Sequence, residues 1–152
     1  TLEDFNKVYT FFTRDDITGD IADDYPPDVF SMVKRMLSSD LVCMPSDDTL
    51  FIFSPVNSIV YTAHLNTTRP DVANLYQNTL AMAEWLKANT LVQILISYIP
   101  VVSEATFHYS QKIGMTEIGR VKDGFLKNGC LGDNVIMSAK IENIIKELTK
   151  WQ

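Results

Sequence analysis

The sequence predicts an α+β domain, and three observations carry that expectation. Short apolar runs separated by turn residues fill positions 41–65 and read as an antiparallel meander. From Pro70 the apolar period becomes helical, with Val72, Leu75, Thr79, Met82, Ala83 and Leu86 on one stripe. Residues 92–99 are then an apolar run typical of a strand buried on both faces, which completes a βαβ unit. At 152 residues, 46% apolar and 21% charged, the chain fits one domain over 1–152, with a C-terminal helix at 140–152.

Taken in order, residues 4–13 carry Phe5, Val8, Tyr9, Phe11 and Phe12, a composition suited to a strand, although Asp4 suits the cap of a short helix. In the acidic stretch that follows, Ile17 and Ile21 are four apart and anchor one helical turn while the acids stay wet. That stretch lacks the alternating oxygen ligands of a calcium loop. Pro26-Pro27 opens a helix with Val29, Phe30, Val33, Met36 and Leu37 on one face and Lys34 and Arg35 on the other. Residues 41–44, 50–53 and 59–65 are strands, with turns at 45–48 and 55–58. After the βαβ unit, Ser103 caps a helix in which Thr106, Tyr109 and Ile113 share a face, and Gly114 stops it in the left-handed region. Residues 115–121 and 135–139 pair as strands, with turn signals at Asp123-Gly124, Asn128-Gly129 and Gly132-Asp133 between them. Ile141, Ile144, Ile145, Leu148 and Trp151 make the apolar face of the last helix.

A net charge of -6 argues against non-specific nucleic-acid binding. No apolar run reaches the length of about 18 residues that a membrane helix needs. The first residues lack the basic and apolar blocks of a signal peptide, which makes the cytoplasm the expected location. Cys43 and Cys130 read as reduced thiols, and neither they nor His64 and His108 have metal spacing, so no metal is expected.

Lys112-Ile113-Gly114-Met115 at a helix end, together with the order of elements over residues 5–139, resembles the GNAT superfamily of acyl-CoA N-acyltransferases. Ala63-His64-Leu65 followed by Arg69 and the Ala83-Glu84-Trp85 helix looks like its small phage-encoded subgroup, as do Asp15-Asp16-Ile17, Ile21-Ala22-Asp23-Asp24 and Pro27. Some proteins of that subgroup are linked to head assembly or the virion interior. The resemblance implies a GNAT-like fold, a mixed and mostly antiparallel sheet flanked by helices. It also implies acetyl-CoA as cofactor, an amine acceptor, and a loop after the fourth strand of the family that wraps the coenzyme diphosphate.

Carried over, the cofactor-binding residues are Asn66, Thr67, Thr68, Arg69, Val72, Ala73 and Asn74, with Ser103 at the start of the next helix. Of the family's loop pattern only Arg69 survives. Val72 and Asn74 stand where glycines let a backbone approach phosphate, and Pro70 removes an N–H. Asp71 adds a like charge, worth roughly 4 kcal/mol of repulsion at 4 Å and an effective dielectric of about 20. The catalytic candidates are Tyr109 or Ser110 for the leaving thiolate, and His64, Glu117 or Tyr98 as general base. On the loop chemistry the sequence leans to a non-catalytic or weakly coenzyme-binding assembly component. Its partners would be phage structural proteins or its own copies, in the host cytoplasm or virion. The alternative is an acetyl-CoA-dependent N-acetyltransferase working by direct transfer to an amine.

Overall fold

Thr1 and Asp4 cap the first helix. The Thr1 hydroxyl accepts from the Asp4 N–H while the Asp4 carboxylate accepts from Thr1, a capping box that makes the first segment helix α1 (Leu2–Phe12) and not a strand. Its spacing of Val8, Phe11 and Phe12 yields a buried stripe, which outweighs the β propensity of the aromatics. The structure is a computed structural model that describes residues 1–14, 28–68 and 72–151. Ile17, Ile21, Pro26 and Pro27 lie outside the described residues, as do Arg69, Pro70 and Asp71. Helix α2 (Val29–Ser39) is capped by Asp28, whose Oδ2 accepts the Ser31 N–H at 2.9 Å. Phe30, expected on the buried face, is exposed and meets Phe5 and Tyr9 edge-on.

The meander forms as expected, as β1 (Leu41–Ser46), β2 (Thr49–Pro55) and β3 (Val60–Thr67). Pro45 belongs to β1 and not to a turn; it is tolerated there because β1 is an edge strand with a register irregularity between Cys43 and Ser46. Helix α3 (Val72–Asn89) then crosses to β4 (Ile94–Pro100), which pairs parallel with β3. Helix α4 (Glu104–Lys112), β5 (Thr116–Lys127), β6 (Cys130–Lys140) and α5 (Ile141–Thr149) complete the chain. The six strands make one mixed sheet in the order β1-β2-β3-β4-β6-β5.

Strands β5 and β6 run longer than their apolar patterns suggest. Only Asn128-Gly129 is the hairpin turn, with φ of 54° and 72° as a two-residue primed turn requires. Asp123-Gly124 is a bulge in β5, and Gly132-Asp133 lies inside β6.

Two cores hold the sheet. Helices α3 and α5 cover one face, burying Leu86, Met137, Ile141 and Ile144. On the other face α1 and α2 pack over Leu50 and Ile52 of β2. Strand β4 consequently buries Leu95 and Ile99 on the first face, whereas Tyr98 on the second is 45% exposed. The expectation of a strand buried on both faces therefore fails for β4, since its apolar run reports strand propensity more than burial.

Gly114 ends α4 with φ +96°, and a Cβ there would lie 2.9 Å from Glu147 Cγ of α5. Gly114→Ala is expected to destabilise the chain by about 1–2 kcal/mol through backbone strain alone. The check is a lower urea midpoint with an unchanged m-value.

Candidate active site

Strands β3 and β4 pair only over Val60–Ile94, Tyr61–Leu95 and Thr62–Ile96. Beyond that point each keeps its outer neighbour: β2 follows β3 as far as Thr67, and β6 follows β4 as far as Pro100. The two inner edges therefore part. Just past the last pair, Ser97 Oγ donates to the Ala63 carbonyl oxygen at 2.8 Å and bridges the strands at the apex of the gap. The gap opens into a cavity of about 400 Å³, floored by Met82, Ala83 and Leu86 of α3 and closed on its far side by α4. A strand edge presents amide groups in need of partners, so this slot suits an extended ligand that carries amides of its own.

Tyr109 and Ser110 of α4 both line the cavity. The Thr79 hydroxyl donates to Leu75 O at 2.7 Å, which leaves its oxygen to accept from the Tyr109 phenol at 2.5 Å. Tyr109 also stacks on Tyr76 with ring centres 5.9 Å apart. Burial drives its ionisation well above the usual tyrosine range. Ser110, 2% exposed, donates to Phe107 O at 2.7 Å. As placed, both hydroxyl protons point into helix α3 or along α4 and neither is free for the cavity. Ser103 occupies the N-cap of α4 without a side-chain capping bond and lines the cavity at that end.

No protein-family model matches the sequence, and no curated protein matches it. Solved structures do match in shape. Spermidine N-acetyltransferase from Vibrio cholerae, in complex with CoA and spermine, superposes with a TM-score of 0.75 at 10% identity, over 95% of this chain and 94% of that one. Ribosomal-protein-alanine N-acetyltransferase from Brucella melitensis gives 0.71 at 14% identity over 92% and 96%. A GNAT-family acetyltransferase from Streptococcus pneumoniae gives 0.67 at 14% over 91% and 93%. The fold is GNAT-like.

Within this GNAT-like frame the remaining sequence candidates fall into three groups. His64 and Tyr98 line the cavity together; Glu117 does not, and its carboxylate pairs with Arg120 at 2.6 Å on β5. The His64 imidazole keeps an open edge, but the surrounding walls strip enough solvent to hold its pKa below the ordinary value, against a weaker opposing pull from Asp40. It is therefore a neutral base at neutral pH.

Of the loop candidates, Asn66 lines the cavity, and the Thr67 and Thr49 hydroxyls bond each other at 3.0 Å. The Thr68 N–H donates to Asp48 O at 2.9 Å and its hydroxyl to Asp48 Oδ1 at 3.1 Å. Ala73 and Asn74 are exposed in the first turn of α3, and Arg69 and the Val72 side chain lie outside the description.

Two residues lining the cavity, Ser97 and Asn134, and one bonded to the end of β3, Arg14, were not singled out from sequence. Arg14, just past α1, donates to Asp47 O at 2.9 Å and Thr68 Oγ1 at 3.3 Å, and pairs with Asp48 at 3.0 Å, so it ties the end of β3 to the β1–β2 turn. Ser97 interrupts the apolar run of β4, which was a readable signal. Asn134 was hidden in what looked like a turn; its Nδ2 donates to Gly124 O at 3.0 Å while its buried Oδ1 has no hydrogen-bond partner among the described residues.

Spectrophotometric titration of the six tyrosines should leave one un-ionised after the others, and Tyr109→Phe should remove that one. Because the folded-state pKa is raised, its contribution to stability is complete below about pH 10 and is lost as pH climbs beyond it. A late tyrosine that persists in Tyr109→Phe overturns the assignment.

Proposed function

We propose that this chain is an acetyl-CoA-dependent N-acyltransferase that moves the acyl group directly to an amine. The observation that carries the reading is the slot where β3 and β4 part, open to a 400 Å³ cavity and bridged at its apex by Ser97. In support, solved structures of the same fold include N-acetyltransferases, one of them in complex with CoA and spermine. The slot fits the amide-bearing arm of the coenzyme, with Asn66, Ser97 and Ser103 beside it. When bound, acetyl-CoA supplies an acyl group activated as a thioester. The diphosphate end would fall at residues 69–74, where Arg69 is the cation the sequence provides.

His64 is the group suited to take the amine proton, being neutral and in the wall of the cavity. Among the described residues lining the cavity there is no cysteine, Ser97 and Ser110 commit their protons to backbone carbonyls, and neither Ser103 nor Thr106 is hydrogen-bonded to His64. That favours attack by the amine itself over a covalent enzyme intermediate. An assembly role would need an unpartnered apolar surface, but on the last helix Ile141, Ile144 and Leu148 are buried in the core. Trp151 stands exposed beyond them, with the Lys112 ammonium 5.7 Å from its ring centre. The fold lends no support to phage partners.

Calorimetry with coenzyme A should give a binding isotherm, and acetyl-CoA with an amine should release thiol. His64→Ala should lower kcat/KM by about 10²–10⁴ while leaving coenzyme affinity near wild type. In the wild type the acid limb of kcat/KM should fall below pH 6.5, since the imidazole pKa is depressed. No heat at millimolar coenzyme A would sink the reading.

A further inference from the structure

The structure assigns Ser97 the part of a positioning residue: its hydroxyl takes the Ala63 carbonyl that the Tyr98 N–H would otherwise take, and the N–H so released is a donor for a carbonyl of the bound ligand. The phase of the ladder carries the argument. At the closed end of the β3–β4 pairing the Ile94 N–H donates to Ile59 O at 3.0 Å, whereas Gln93 O accepts from Ile141, just past β6. Successive residues of a strand turn their backbone groups to opposite neighbours, so Ile94, Ile96 and Tyr98 present theirs to β3. Bonds between parallel strands are evenly spaced and slanted. Two residues further along each strand, the Ile96 N–H therefore meets Tyr61 O, within the paired stretch. The next step would set the Tyr98 N–H on Ala63 O. The register stops short of it, at Thr62–Ile96, and Ala63 and Ser97 do not pair.

What the Ala63 carbonyl has instead is Ser97 Oγ, at 2.8 Å. The hydroxyl stands one carbon from the backbone, so it spans the strands only where they are still close, one step beyond the last pair. A carbonyl satisfied in this way has no further need of the next backbone donor. An apolar residue at 97, like its neighbours Leu95 and Ile96, would leave the Tyr98 N–H as the donor next in register. The outer ladders hold the far ends of β3 and β4, and Ser97 fixes the point from which they diverge. The released N–H points from β4 into the gap, and Ala63, Ser97 and Tyr98 all line the cavity into which the gap opens. On the acyl-transfer reading, on which this last step rests, the acceptor is an amide or thioester carbonyl of the coenzyme arm.

The experiment is amide hydrogen exchange by NMR on the full chain, followed at Tyr98 with the Ile96 amide as internal reference. In the free wild type Tyr98 should exchange about tenfold faster than Ile96. Ser97→Ala should slow Tyr98 about tenfold, the worth of one added ladder bond, while Ile96 stays within about twofold. Ser97→Thr keeps a hydroxyl and should leave Tyr98 exchanging as in the wild type. A wild-type Tyr98 amide as protected as Ile96 overturns the inference, as does one that Ser97→Ala leaves unchanged or that Ser97→Thr slows equally. Saturating coenzyme A should slow the wild-type Tyr98 amide, and Ser97→Ala should bind coenzyme A about tenfold more weakly. Coenzyme binding with neither effect defeats the donor role alone. No coenzyme binding at millimolar concentration defeats acyl transfer and the ligand with it, while the exchange comparison still decides the role of Ser97.

Discussion

The parting of β3 from β4 is the constraint on which the rest of this molecule depends. Backbone amides inside a protein must be partnered, and a sheet that opens in its middle leaves two rows of them facing a gap. The gap survives because each strand is held from outside. The β2–β3 register runs unbroken to Thr67, and the β4–β6 register to Pro100, so neither strand can swing inward without breaking its outer ladder. Ser97 Oγ meets one of the exposed carbonyls at the apex and keeps the split from running further back. Deeper in, the strands close again over Leu95 and Tyr61, against the core under α3.

Everything else serves to hold that gap at a fixed width. Helix α3 carries Met82, Ala83 and Leu86 beneath it, and α5 packs against α3 from behind through the buried Ile141, Ile144 and Leu148. Helix α4 is tied to α3 by the Tyr109–Thr79–Leu75 relay and by Tyr76 stacked on Tyr109. Burial explains why a tyrosine so close to the cavity keeps its proton: it penalises the phenolate more than the Thr79 hydrogen bond favours it. Near the end of β3, Arg14 joins the end of α1 to the β1–β2 turn and to Thr68, which itself bonds Asp48 of that turn.

Much of this frame was legible in the sequence, and the failures have physical reasons. The meander, α3 and the left-handed Gly114 follow from periodicity and from a residue type that only one backbone conformation explains. The first segment misled because its aromatics suit a strand, while the deciding feature, Thr1 capping with Asp4, lies at the very edge of the pattern. Of three turn signals between β5 and β6 only Asn128-Gly129 turns the chain; Asp123-Gly124 looks the same in sequence but meets a partner strand and becomes a bulge. Cavity residues fared unevenly. His64, Asn66, Tyr98, Ser103, Tyr109 and Ser110 line one space, although neighbouring Tyr109 and Ser110 leave α4 about 100° apart. Asn134 was unreadable, because its significance depends on a carbonyl ten positions earlier that only the bulge brings near.

The division of labour in the proposed reaction follows from where the protons sit. An alkyl amine resembles a lysine side chain and is mostly protonated at neutral pH, whereas a thiol ionises near 8.5. Removing a proton from the nucleophile is therefore the harder demand, and donating one to the leaving thiolate the smaller. The site is built in that proportion. His64 stands in the cavity wall as a neutral base, while Tyr109, the nearest phenol on α4, has its proton given to Thr79 and its ionisation pushed far up. An acid that reluctant gains little by protonating a thiolate several units less basic than itself, since the efficiency of proton transfer follows how well the two pKa values match. The proposed reaction would therefore lean on base and position, with the thiolate departing on its own modest basicity.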